Sequence, residues 1–192
     1  MDNRLINYFL KITDLSVEEI NVLTDSMIIK KYSKGSFIVR EGQFNSDTFF
    51  ILEGCIRQYK MIDGNDITTS FYTEEQWIIS FDTIESRTPS PHYLVCVEDT
   101  SIVIGNEEKA QAIFQKFPHL ETISRKIMET IFMEQQSFLN SYITDKPEQR
   151  YLKLLKSRPE IFQRVPQYDI ATYIGVKPES LSRIRKKLHK KS

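Results

Sequence analysis

The sequence predicts an α+β protein in three parts, on three observations. Between Met27 and Ile104 the apolar residues follow a strand-like alternation broken by Gly-bearing turns. From Asn106 onward the period turns helical and sustains one long apolar seam. Near the end, two short helical patterns are joined by a glycine. The expected divisions are residues 1–110, 111–140 and 141–192. Charge supports the partition. The chain of 192 residues is formally neutral, yet residues 1–110 carry 10 Lys and Arg against 18 Asp and Glu, and residues 111–192 carry 16 against 8. A basic back half is a candidate for a polyanionic partner.

In chain order, Ser16 precedes Val17, Glu18 and Glu19, which predicts a capping box and a short helix ending near Asp25. The β-rich runs are MIIKKY, SFIVRE, TFFILE, CIRQYKMI, ITTSFY, HYLVCVE and TSIVIG. Their close spacing leaves no room for crossover helices, so a sandwich or small barrel is expected rather than βαβ units. Asp63-Gly64 predicts a tight hairpin. Ile113, Phe117, Leu120, Ile127, Ile131 and Phe138 then follow a four-three spacing with Ser124 and Glu134 as its polar members, Phe114, Ile123 and Phe132 widen the face, and Pro118 is a kink or restart. Such a seam suits a helix paired with its twin, or one packed between two domains, and the homodimer is the preferred reading. Behind it lie a helix over 147–156 with Tyr151, Leu152 and Leu155 on one face, a second over 167–174 and a third over 179–189.

The informative stretch is VPQYDIATYIGVKPESLSRIRKKL, residues 165–188. Ile170, Ala171, Ile174, Val176, Leu181 and Ile184 form the apolar set of two crossing helices, with Ala171 small at the crossing and Gly175 free to take positive φ. That pattern is a helix-turn-helix. Glu179, Ser180 and Arg183 are the candidate base-reading residues. Arg183 can donate two bonds to guanine, and Glu179 can accept from cytosine. Lys177, Arg185, Lys186 and Lys187 are the candidates for phosphate contacts, with Lys190 and Lys191 adding attraction. The partner so implied is double-stranded DNA with a roughly palindromic operator. The competing reading is an effector-binding or scaffold protein whose basic tail touches protein or membrane.

These residues resemble the catabolite-activator and fumarate–nitrate-regulator (Crp/Fnr) superfamily of bacterial transcription factors. KGSFIVREGQFNSDTFFILEGCIRQY and VCVEDTSIVI resemble its cyclic-nucleotide-binding jelly roll, residues 111–140 its dimer helix, and IATYIGVKPESLSRIRKKL its DNA-reading segment. The last resembles in particular the short regulators typical of the Bacteroidetes group. The resemblance implies a dimeric transcription regulator, with RNA polymerase a candidate partner. It also implies an Arg-Glu-x-x-x-Arg reading arrangement, of which Glu179 and Arg183 are present while Pro178 stands at the first Arg position. The β-hairpin wing many members carry after the recognition helix is not expected, since the chain stops at Ser192.

The effector site departs further. Cyclic-nucleotide binders of the family hold the phosphate with a Gly-Glu pair and an Arg-Ser/Thr pair. Ser80-Phe81 and Pro91-His92 stand at those positions, and Arg87-Thr88 could imitate the second only with a register shift. The expectation is a domain that does not respond to cyclic AMP and takes an unknown small molecule or none. No cofactor and no metal are expected, because two cysteines and three scattered histidines supply no ligand set. No G-x-S-x-G, P-loop, G-x-G-x-x-G or H-E-x-x-H occurs, so catalysis is not expected. No apolar run is long enough to span a bilayer and no signal peptide is legible, which predicts a cytoplasmic protein without a membrane partner.

Overall fold

The strand alternation resolves into two antiparallel sheets packed face to face. The computed structural model describes residues 3–79 and 88–189. Candidates Ser80, Phe81 and Arg87, like Lys190 and Lys191, lie outside the described residues. The strands are β1 (Ile28–Tyr32), β2 (Phe37–Val39), β3 (Thr48–Glu53), β4 (Ile56–Ile62), β5 (Asn65–Tyr72), β6 (Trp77–Ile78), β7 (Tyr93–Cys96) and β8 (Thr100–Gly105). One sheet has the order β1-β8-β3-β6 and the other β2-β7-β4-β5. Val39, Phe49, Ile51, Ile56, Ile78, Leu94, Cys96 and Ile102 fill the space between them.

Strand β3 shows why its sequence reads as a continuous apolar run. Phe49 and Ile51 point into the sandwich, while Phe50 and Leu52 point out onto Leu5, Tyr8 and Phe9 of α1 (Arg4–Leu10). A strand covered on both faces loses the polar half of its alternation. Helix α1 itself was not expected from the sequence, because seven residues are too few to display a helical period. The two-residue β6 was missed for the same reason. The hairpin forms as predicted. Ile62 pairs with Asn65, and both turn residues have positive φ, Asp63 at 50° and Gly64 at 78°. That twist matches the flanking strands.

Helix α2 (Val17–Ser26) carries the predicted capping box. The Glu19 N–H donates to Ser16 Oγ at 3.3 Å, and the Ser16 N–H donates to the Glu19 carboxylate at 2.7 Å. The long helical region is two helices, α3 (Glu107–Lys116) and α4 (Pro118–Thr144). The break is at Phe117, whose φ of −131° and ψ of 78° leave the helical region. Pro118 disfavours helical geometry at the residue before it and then starts the new helix. Among the described residues four further helices follow: α5 (Pro147–Ser157), α6 (Ile161–Arg164), α7 (Gln167–Tyr173) and α8 (Pro178–His189). Among the described residues no helix is long and apolar enough to cross a membrane.

Candidate nucleic-acid interface

The C-terminal module is built around Tyr151, Leu154, Ile161, Val165, Ile170, Ala171, Ile174 and Leu181, all buried. On α5 the buried pair is Tyr151 and Leu154. This corrects the predicted face, since Leu152 and Leu155 are both exposed. The residues three apart turn the same way on a helix that meets its neighbours at one narrow stripe. Helix α7 ends at Gly175, whose φ is +72°. The Gly175 N–H donates to Thr172 O at 3.0 Å and the Val176 N–H to Ala171 O at 2.9 Å, closing the last turn. Tyr142 of α4 lies where a Cβ on Gly175 would go, so the turn is pinned against the long helix.

Helix α8 starts at Pro178, with the Ser180 and Leu181 N–H groups returned to Lys177 O at 2.9 and 3.1 Å. Leu181 locks it onto α7. Its outward row is Glu179, Ser182, Arg183 and Lys186, all exposed and spaced as one helix face. Lys177 is exposed just before the helix, and Arg185 is half-buried on its flank. Two candidates are placed differently from the sequence reading. Ser180 is half-buried and turned toward the α5 side. Lys187 is tied to Glu148 at 2.5 Å. Ser182, three residues after Glu179, shares this exposed face but is not among the candidates read from the sequence.

The predicted seam also divides. Leu120 and Ile127 are buried within the protomer, and Ile131 is half-buried. Ile113 sits half-buried on α3, and Phe117 occupies the break, so neither continues the α4 face. Phe138 stacks on Tyr173 of α7, with ring centroids 5.1 Å apart. Farther along α4 four more apolar residues are bare in the protomer: Phe132 is 62 % exposed, Met133 71 %, Leu139 50 % and Ile143 73 %, with Phe132 and Leu139 lining one cavity with Ile127, Ile131 and Phe138.

Residues 29–117 match the family profile of the cyclic nucleotide-binding domain. No curated protein sequence matches the chain. Solved structures do. The c-di-GMP-responsive global regulator CLP of Xanthomonas campestris is 15 % identical with a TM-score of 0.70, the alignment covering 92 % of this chain and 93 % of that one. A regulator assigned to the Crp/Fnr family from Eubacterium rectale is 18 % identical with a TM-score of 0.69, over 96 % and 88 %. A CooA mutant from Carboxydothermus hydrogenoformans is 16 % identical with a TM-score of 0.68, over 93 % and 86 %. The fold is that of the Crp/Fnr regulators.

Within that Crp/Fnr fold the described part of the effector region offers little to an anion. Thr88 is exposed, while Pro91 and His92 are half-buried at the start of β7. The Ser90 hydroxyl donates to His92 O at 3.0 Å and accepts the His92 N–H at 3.2 Å, which turns it inward to the backbone. Among the described residues 88–92 there is no arginine. Among the described residues no cluster of three or more His, Cys, Asp or Glu could hold a metal ion. Both cysteines are buried free thiols, and burial pushes Cys55 up to about 12, away from the reactive thiolate.

Proposed function

We propose that this Crp/Fnr-fold chain is a homodimeric, sequence-specific DNA-binding transcription regulator whose sensor domain does not respond to cyclic AMP. The observation that carries the reading is the exposed row Glu179, Ser182, Arg183 and Lys186 on a helix locked from behind by Leu181. The row presents a bidentate donor, a carboxylate acceptor and a hydroxyl at groove-reading spacing. Arg183 donates to guanine, Glu179 accepts from cytosine or orients Arg183, and Lys177 and Lys186 meet phosphates. The exposed apolar residues Phe132, Met133, Leu139 and Ile143 of α4 support a dimer. Two copies then face a roughly palindromic site with half-sites about 34–36 Å apart. A protein bound there meets RNA polymerase as its next partner. The ending PESLSRIRKKL favours the group typical of Bacteroidetes.

The test is a duplex-binding titration across a salt series, on a sequence selected by the protein and on its scrambled counterpart. The expected result is tighter binding to the selected sequence and a log–log salt slope of about −0.9 per phosphate neutralised. Equal affinity for both duplexes overturns the reading. Calorimetry with cyclic AMP and cyclic GMP is expected to show no micromolar binding, because Phe81 and Pro91 supply no positive partner for a phosphate. A micromolar signal overturns that part.

A further inference from the structure

The reading module is not merely tethered to the sensor domain. Its hydrophobic core takes in Cys55 and Phe71 from the β-sandwich, and Phe71 packs on Tyr173 with centroids 5.1 Å apart. Around this shared core runs a polar network from the module to β5 and the residues after it. Arg158 donates to Phe71 O at 2.8 Å, to Thr73 Oγ1 at 3.1 Å and to Gln76 Oε1 at 3.2 Å. Arg164, the last residue of α6, donates to both Glu74 oxygens at 2.8 Å and through Nε to Glu98 at 3.0 Å. Glu74 is held in turn by the Gly54 N–H at 2.8 Å. Farther along, Arg57 meets Asp169 of α7 at 3.1 Å and Asp66 at 2.8 Å, and Thr172 donates to Thr68 Oγ1 at 2.9 Å.

Half-exposed ion pairs such as Arg164 with Glu74 and Glu98 are a poor source of stability, because solvent screens the attraction and fixing long side chains costs entropy. They are a good source of geometry. A guanidinium holding one carboxylate with two parallel bonds and a second carboxylate at its edge has one orientation that satisfies all of them. Arg164 lies three residues before α7, and α7 carries the crossing helix α8. Its placement therefore sets where α7 begins on the sheet. Thr172 and Asp169 then fix how α7 lies.

We infer that Arg164, gripping Glu74 and Glu98 of the sensor domain, is a positioning residue that sets the angle of the recognition helix and with it the half-site spacing the dimer reads. The inference rests on the DNA-reading dimer proposed above. The grip is made wholly within the protomer, between Arg164 and the carboxylates of Glu74 and Glu98. Its consequence belongs to a paired site alone: one module on a single half-site needs no fixed angle, whereas two modules on a rigid duplex need both angles at once.

The test uses the full chain and a palindromic duplex that the wild-type protein selects from a random pool. Affinity is measured for that duplex, for one lengthened at its centre by about two base pairs, which turns one half-site by about 70°, and for a single half-site. Wild-type protein is expected to lose about ten-fold or more on the lengthened duplex, roughly the cost of one poor base contact. Arg164→Ala is expected to bind both palindromes about equally, with half-site affinity within about two-fold of wild type, as for a residue that touches no DNA. Arg164→Lys keeps the charge but loses the planar fork that puts two parallel bonds on Glu74 while Nε holds Glu98, so it is expected to behave like the alanine variant. Should Arg164→Ala not fold, Glu98→Gln carries the same comparison with about a three-fold loss of spacing preference, since the Glu74 half of the grip survives.

An intact spacing preference in the folded variants overturns the inference. So does an equal loss on half-site and palindrome, or a gain on the palindrome, which would mean that the grip holds the module off DNA. Wild-type protein with no sequence preference overturns the DNA-reading function itself, and the inference with it.

Discussion

Arg183 and Lys186 share one exposed face of α8 but are assigned to different chemistries. Arg183→Ala is expected to cost about 1–3 kcal/mol per half-site, mainly against the preferred sequence. Lys186→Ala is expected to weaken all DNA about equally and lower the salt slope by roughly one unit. Paired titrations on selected and scrambled duplexes check both. Arg183→Ala weakening both duplexes equally would make Arg183 a backbone contact. Arg57 poses the opposite problem, burial rather than exposure. Its side chain is 8 % exposed and that of Asp169 12 %. Burial holds Asp169 above the usual aspartate value of 3.8, and the Arg57 charge offsets only part of that. Arg57→Ala leaves a buried carboxylate without its cation and is expected to destabilise the fold by about 3–5 kcal/mol in urea unfolding.

At the scale of elements, α4 carries two sets of apolar residues. Leu120, Ile123 and Ile127 are buried within the protomer, and Phe132, Met133, Leu139 and Ile143 are exposed. Phe132→Glu combined with Leu139→Glu is expected to give monomers in sedimentation and to weaken palindrome binding far more than half-site binding. A dimer of unchanged weight would remove this face as the interface. Ile127, which belongs to the seam as read from the sequence, is a poor probe: its substitution acts on the protomer's own core, where loss of a buried side chain costs about 2–5 kcal/mol. The spacing of four and three was legible, but its orientation was not. Period alone fixes which residues share a face, while the neighbour that a face meets is a tertiary fact.

For the whole molecule, the carboxylates that tie elements together set the acid limit of stability. Glu19 is held below the ordinary 4.5 chiefly by the Ser16 N–H, against an opposing effect of burial. For Glu74 burial is the largest single influence and raises its value, but the Arg164 bond and the backbone N–H groups together outweigh it and lower it. In both, the folded-state value lies below the unfolded one. Their contribution is present in full above about pH 4.5 and is lost as pH falls through the folded values. Asp169 has the reverse sign: burial raises it, so its contribution is greatest below 3.8 and declines as pH rises through its folded value. With Glu19, Glu74 and Asp145 lowered and Asp169 raised among the described residues, the melting temperature is expected to fall between pH 7 and pH 3. Glu74→Gln is expected to melt lower at pH 7 and to show a smaller acid drop. A variant with an unchanged acid drop would show that the grip does not contribute to acid stability.

Local chemistry by itself determined much of this protein. The capping box at Ser16 and Glu19, the Asp63-Gly64 hairpin, the restart at Pro118 and the turn at Gly175 all appear where the residues place them. Each is specified within a few residues by a cap, a fixed φ or a missing Cβ. The apolar positions Ile170, Ala171, Ile174 and Leu181 likewise sit buried where spacing puts them. What the tertiary structure decided lies between elements far apart in the chain. Helix α1 is helical where it covers Phe50 and Leu52, which are buried 40 residues and more away in the sequence. Ser180 and Lys187 turn aside because α5 lies beside α8. Arg164 looks in sequence like one more cation of a basic half, yet it closes on Glu74 and Glu98 across separations of 90 and 66 residues. A charge acquires its role from the groups that surround it after folding, and no periodicity within the chain encodes that company.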